Sequence, residues 1–128
     1  MIAVFWDDLR QSGDNRVYHW HDAANHRFVV EWDSVHYYSS SDWETFELVV
    51  YDTTMLGPDG NSRFLYQHLS ANRTNSSTVG EQDPTIAIGI NCLFDQSYHR
   101  ASMPLVAGRA IRYTTDPPRV AIAERTGQ

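Results

Sequence analysis

Two histidines in the first quarter of the chain have the spacing of paired metal ligands. His19 and His21 are two positions apart in a segment that predicts a β-strand, so both imidazoles project from one face. Zinc also needs a third and usually a fourth ligand, which no neighbouring residue clearly supplies. In the alternative interpretation, which we favour, Tyr18 and Trp20 form the buried face and the histidines are its solvated partners.

Acidic residues in predicted loops form a second candidate site, and calcium is the ion they would hold. Asp7 and Asp8 directly follow an aromatic pair at the end of a predicted strand. Their spacing does not match the twelve-residue calcium loop with its terminal glutamate. Turn formation and capping explain these carboxylates more simply. Calcium is therefore the one candidate cofactor, and the sequence requires none.

The motifs of the common catalytic nucleophiles are absent from the sequence. There is no Gly-x-Ser-x-Gly elbow and no glycine-rich phosphate loop. Cys92 lies in an apolar run and is expected to be a buried structural thiol. Glu44 and Glu47 are carboxylates whose separation the sequence does not give, so a glycosidase pair cannot be assigned to them. We therefore expect no enzymatic activity.

Clustered aromatic residues give a candidate carbohydrate site. The segment from Tyr37 and Tyr38 through three serines to Trp43 is the predicted loop that exposes the most rings. Flat aromatic faces combine an apolar body with polar handles, and they suit stacking on sugars. The competing interpretation places the tryptophans in the core of the domain.

Two adjacent polar segments match the acceptor pattern for N-glycosylation. The acceptor residues are Asn72 and Asn75, each followed at the second position by threonine or serine. The pattern has meaning only if the chain is exported through a glycosylating pathway.

The length and composition of the chain exclude several classes of protein. The chain has 128 residues with a formal charge of −6, and its ten basic residues are all arginine. One domain accommodates this length, and the acidic balance disfavours a nucleic-acid partner. A single cysteine cannot form an internal disulfide, and no apolar run is long enough to span a bilayer as a helix.

Apolar residues recur with a period of two along most of the chain, which predicts strands. In residues 27–33, Phe28, Val30 and Trp32 share one face, and Phe46, Leu48 and Val50 repeat the pattern. The predicted strands cover residues 2–6, 17–21, 27–33, 44–52, 63–69, 78–82, 85–92 and 109–114, with Ile86, Ile88 and Ile90 facing inward. About eight short strands predict an all-β fold, an antiparallel β-sandwich or jelly-roll-like domain. We assign residues 1–116 to this domain and 117–128 to a linker or mobile tail, with residues 120–123 as an alternative edge strand.

Several segments, in order, resemble an accessory β-sandwich module of large secreted bacterial proteins that often lies beside peptidase and sorting domains. That module typically reads Ile-Ala-Pro-Phe-Trp-Asp-Asp-Leu and, later, Phe-Val-Val-Glu-Trp and Gly-Arg-Ala-Ile-Arg-Phe-Thr. The corresponding segments here are Phe5-Trp6-Asp7-Asp8-Leu9, Phe28-Val29-Val30-Glu31-Trp32 and Gly108-Arg109-Ala110-Ile111-Arg112-Tyr113-Thr114. The resemblance covers about residues 2–118 and departs at Val4, where the module usually has proline.

The resemblance implies a non-catalytic extracellular module with a structural or interaction role in a larger bacterial surface assembly. Its partners would be other protein chains, as a homo-oligomer or as neighbouring domains. Members usually carry further strands before the Phe-Trp-Asp-Asp segment, so we expect a strand from another chain to complete the sandwich, as in strand-complemented filaments. The alternative is a carbohydrate-binding or substrate-recruiting accessory domain of a secreted hydrolase.

Overall fold

Two antiparallel sheets make up the part of the chain that the structure, a computed structural model, describes: residues 1–38, 40–52, 61–70 and 74–114. The expected all-β sandwich is confirmed, with ten strands in these residues. The strands are β1 (Ile2–Trp6), β2 (Leu9–Arg10), β3 (Arg16–Asp22), β4 (Arg27–Tyr37), β5 (Trp43–Tyr51), β6 (Ser62–His68), β7 (Thr78–Gln82), β8 (Gly89–Phe94), β9 (Ser97–Tyr98) and β10 (Arg109–Tyr113).

The larger sheet contains six strands in the order β10-β6-β5-β4-β2, and β3 also pairs with β4. Strands β3 and β2 share one edge of the long β4: β3 lies beside residues 27–33 and β2 beside residues 36–37. The β4–β5 register pairs Trp32 with Phe46 and Phe28 with Val50. The alternation read from the sequence therefore puts these side chains on one face, as expected.

The smaller sheet contains four strands in the order β1-β7-β8-β9. It packs over the β5, β6 and β10 side of the larger sheet and leaves the β3–β4 hairpin extending beyond it. Gly80 lies where β7 and β8 approach most closely, since a Cβ atom there would be 2.4 Å from the carbonyl oxygen of Ile90. Any other residue at position 80 would push these two strands apart.

The core lies between the two sheets and is rich in aromatic rings. Trp32 stacks on Phe46 with ring centroids 5.0 Å apart, and Phe5 of β1 packs against the same Phe46 at 5.8 Å. The Tyr66 hydroxyl donates a 2.7 Å hydrogen bond to the carbonyl of Val4, which joins the two sheets through a buried polar contact. Phe64 is fully buried among these residues.

The strand predicted over residues 85–92 begins later than expected, at Gly89. Asp83 accepts hydrogen bonds from the backbone N–H groups of Ala87 and Ile88, which holds the preceding residues in a turn. The expectation that Ile86, Ile88 and Ile90 face inward was wrong: the first two precede β8, the third is in β8, and all three are exposed. Alternation alone does not distinguish a buried strand from an apolar turn followed by a strand end.

The preferred interpretation of β3 was also wrong, because Tyr18 and Trp20 are exposed rather than buried. Strand β3 is at the edge of the larger sheet, and these two side chains alternate with the inward Val17, so they point to the outer face, away from the smaller sheet. The boundary expected at residue 116 and the tail at 117–128, with the alternative strand at 120–123, fall outside the described residues.

We predict that Phe64→Ala lowers the free energy of unfolding by about 3–5 kcal/mol, because it removes a fully buried ring and leaves a cavity. Phe94→Ala is the matched control, since this ring is exposed and its loss should change stability by less than about 0.5 kcal/mol. Urea unfolding followed by tryptophan fluorescence measures both. Equal losses would contradict the placement of the core.

Candidate functional site

The candidate site is a cleft between β1 and the uncovered part of the larger sheet. Its volume is about 340 Å³. One wall is β1 itself, and the opposite wall comes from β2, β3 and β4, with Leu9, Val17, Trp32 and Val35 among its lining residues. The cleft therefore lies where the smaller sheet ends and the larger sheet continues.

Strand β1 is the edge of the smaller sheet, and within the described residues its strand partner is β7. Met1 and Gln82 exchange backbone hydrogen bonds of 2.6 and 2.8 Å, and Ala3 lies opposite Gly80. Because successive residues of a strand point their N–H and C=O groups to opposite sides, the peptide groups of Ile2 point away from β7. They line the free edge of β1, at the mouth of the cleft.

Apolar side chains of the β3–β4 hairpin extend the wall of this cleft. Val17 and Phe28 are exposed large hydrophobic residues on the same face as Trp32, since Val17 lies opposite Trp32 and the alternation of β4 joins Phe28 to it. This face would be the inside of the sandwich if the smaller sheet had one more strand beside β1. The arrangement can bind an extended peptide by adding a strand.

The histidines proposed as metal ligands lie on this same face. His19 stacks on Phe28 with ring centroids 6.0 Å apart, and His21 approaches the same ring at 6.5 Å. Both histidines are exposed, as the sequence suggested. Within the described ranges, no group of three or more His, Cys, Asp or Glu side chains could hold a metal ion.

The acidic pair after β1 takes part in a turn. Asp7 accepts a 2.7 Å hydrogen bond from the backbone N–H of Asp8 through its side chain, and it also accepts from the Ser76 hydroxyl at 2.9 Å. The Asp8 carbonyl accepts from the backbone N–H of Tyr38 at 2.9 Å. These bonds connect the β1–β2 turn to the residues before β7 and after β4, which is the capping role that the sequence favoured.

The aromatic residues proposed as a carbohydrate platform do not form one. Tyr37 was expected in an exposed loop, and this was wrong: it is the last residue of β4 and only 6% exposed. Trp43 begins β5 and stacks on His68 with centroids 3.5 Å apart, so one face of its ring is covered. Tyr38 alone of the three is exposed, with the Arg10 guanidinium 5.8 Å from its ring centroid.

Of the two candidate glycosylation sites, Asn75 is exposed in a bend before β7. Ser77, the hydroxyl residue of its acceptor pattern, is fully buried. Asn72 lies outside the described residues.

One member of the Glu44 and Glu47 pair, to which the sequence could assign no role, is a buried carboxylate. Glu44 is fully buried and accepts hydrogen bonds from the Tyr37 hydroxyl at 2.8 Å and from the backbone N–H of Ser70 at 2.8 and 3.1 Å. Burial raises the pKa of Glu44, and the hydrogen bonds from Tyr37 and Ser70 oppose this only in part. The sequence did contain a signal for this position. Glu44 is two residues before Phe46, so on a strand its side chain points to the same face as the ring of Phe46.

No protein-family model, curated protein or solved structure matches the chain. The described part of the chain also has no helix with the length and apolarity needed to span a bilayer.

We predict that the stability difference between the parent chain and Glu44→Gln depends on pH. A raised pKa in the folded state means that the carboxyl group stabilises the fold fully below its unfolded pKa of about 4.3, and that this stability is lost as pH rises through the folded pKa. Relative to Glu44→Gln, the parent should therefore be most stable at about pH 4 and lose stability toward pH 7. Urea unfolding at intervals over this range measures it, and parallel curves would contradict it.

Proposed function

We propose that this chain is a non-catalytic structural module of an extracellular protein assembly, and that the free edge of β1 accepts a strand from another protein chain. In the simplest case the partner is a second copy of this chain. The observation that carries the proposal is the coincidence, within the described residues, of an edge strand with an inner face of the opposite sheet that no strand covers. Either feature alone is common in sandwich domains. Together they leave a space beside β1 and over the opposite sheet in which one more strand would fit.

The geometry of the cleft supports strand addition. Neighbouring strands lie about 4.8 Å apart, and packed sheets about 10 Å apart. A strand added beside β1 would thus lie over the β3–β4 hairpin, where Val17 and Phe28 are exposed. It would pair with the outward peptide groups of Ile2 and cover apolar surface in the same step. Main-chain bonds would supply affinity, and the side-chain pockets along the cleft would supply specificity.

The sequence of β1 also supports an edge that accepts a partner. Proteins commonly protect sheet edges with charged residues or proline, and Ile2–Trp6 contains neither. In the module that the chain resembles, the third residue of this segment, here Val4, is usually proline. Trp6, at the end of β1, is largely exposed, which adds a large apolar side chain to the same edge.

The extracellular setting and the absence of catalysis rest on the resemblance to accessory modules of secreted bacterial proteins. That module has no catalytic residues to transfer to this chain. The exposed surface of the β3–β4 hairpin carries both apolar and polar side chains, which is in keeping with contacts to other proteins in such an assembly.

We predict that the purified chain self-associates and that Ile2→Lys weakens the association at least tenfold, or about 1.4 kcal/mol. The lysine places a charge on the free edge of β1, where a partner strand would have to desolvate it. Sedimentation velocity across a range of concentrations measures the association constant.

Ile88→Lys is the matched control, because Ile88 is the same residue type and even more exposed but lies in the β7–β8 connection, away from the cleft. It should leave association unchanged. A parent chain that stays monomeric up to about 1 mM and unfolds cooperatively would overturn the proposal. So would an Ile88→Lys variant that associates as weakly as Ile2→Lys.

A further inference from the structure

A second cleft lies on the outer face of the larger sheet, on the side away from the core. Its volume is about 320 Å³, and it crosses the four strands β3 to β6. The register pairs Val29 with Val49 and Glu31 with Glu47, and these residues alternate along their strands with the inward Phe28 and Trp32. The cleft is therefore separated from the β1 cleft by the thickness of the sheet.

Aromatic rings line two sides of this outer cleft. Trp20 is 56% exposed, and Tyr18 lies two residues earlier on the same face of β3, about 6.6 Å along the strand. Tyr51 lies on the other side, at the end of β5. Two exposed rings on the same face of one strand give this side of the cleft apolar surface on which a ligand can stack.

Both arginines of the cleft lie over aromatic rings, and an ion pair holds one of them in position. Arg27 donates a 2.8 Å bond to Asp22, a carboxylate that is only 4% exposed, and its guanidinium lies 5.9 Å from the Trp20 ring centroid. Asp22 also accepts a bond from the Asn25 side chain at 2.8 Å. On the opposite side, the Arg63 guanidinium lies 5.2 Å from the Tyr51 ring centroid. A buried acid thus positions one donor before any ligand arrives.

The floor of the cleft combines a small apolar centre with polar groups. Val49 is 4% exposed although it lies on the outer face, because the longer side chains around it overhang it. Glu31 and Glu47 are directly opposite each other, and Gln67 donates a 2.7 Å bond to Glu47. Burial, and then the negative charge of Glu47, raise the pKa of Glu31, so this pair of carboxylates would gain from a ligand that donates hydrogen bonds.

We infer that this outer cleft binds a neutral oligosaccharide, with Trp20 and Tyr18 stacking on sugar rings and with Glu31, Glu47 and the two arginines bonding to hydroxyl groups. Two guanidinium groups face two carboxylates in the cleft, so its formal charge is balanced and it does not favour a nucleic acid or an acidic polysaccharide. Hydroxyl groups both donate and accept, which matches a lining that carries carboxylate acceptors and guanidinium donors.

A protein partner fits this cleft less well. The centres of protein interfaces are depleted in charged residues, whereas this cleft has two carboxylates at its centre. Its apolar floor is small and largely covered already. A sugar chain needs only stacking surfaces and hydrogen bonds that tolerate water, and both are present.

Isothermal titration of the full chain with cellohexaose, xylohexaose and chitohexaose tests this inference. At least one should bind with a dissociation constant below about 1 mM. Trp20→Ala and Tyr18→Ala should each weaken that binding at least tenfold, and Glu47→Gln should weaken it as well. Tyr38→Ala is the matched control for Tyr18→Ala, because Tyr38 is equally exposed but lies outside the cleft. Thermal unfolding of each variant checks that it is folded.

Absence of binding to all three sugars at about 1 mM would overturn the inference. It would also be overturned if Tyr38→Ala lost binding as strongly as Tyr18→Ala. If Trp20→Ala instead abolished self-association without affecting sugar binding, the cleft would belong to a second copy of the chain. Sugar binding does not depend on Ile2, so this test is independent of the one for strand addition.

Discussion

The position of β1 over the larger sheet depends on one small group of contacts, and most of the functional surface follows from it. Phe5 packs against Phe46, which also stacks on Trp32, and the Tyr66 hydroxyl bonds to the Val4 carbonyl. These contacts hold β1 above β5 rather than farther out above the β3–β4 hairpin. Because the four-stranded sheet ends there, no other part of the chain that the structure describes covers the inner face of the hairpin or pairs with the edge of β1 away from β7. A β1 placed one strand position farther out would cover the hairpin and remove the cleft.

The β3–β4 hairpin serves both proposed sites because its two faces carry different chemistry. On β3, Val17 lines the β1 cleft and His19 and His21 share its face of the strand, whereas Tyr18 and Trp20 face the outer cleft. The inner face offers apolar surface beside free peptide groups, which suits an extended polypeptide. The outer face offers rings, carboxylates and guanidinium groups, which suit a polyol. An accessory module would use both faces of the hairpin if the inner face bound it to an assembly and the outer face contacted glycans.

Much of the fold could be predicted from the sequence, because half-buried strands leave a period of two. The strands around Phe28 and Phe46 were predicted with the correct inward face. The inward orientation predicted for Ile86, Ile88 and Ile90 was wrong. Hydrogen bonds to the Asp83 side chain form a turn here, and the apolar residues in this turn resemble the alternation of a strand. The exposed loop position predicted for Tyr37 was wrong. Strand β4 continues through residues 33–37 past a register shift, and this brings the Tyr37 ring to the core. The burial predicted for Trp20 was wrong because its side chain lies on the outer face of β3, and alternation along a strand does not show which of its two faces meets the other sheet.

Hydrogen exchange of backbone amides, measured by nuclear magnetic resonance on the full chain at low and high protein concentration, tests the central claim most directly. If β1 accepts a strand, the Ile2 amide should exchange quickly in dilute solution and become protected as the chain associates. The amides of β9, at the other edge of the same sheet, should not change. An Ile2 amide that exchanges at one rate at every concentration, or protection that appears at β9 instead, would contradict the account.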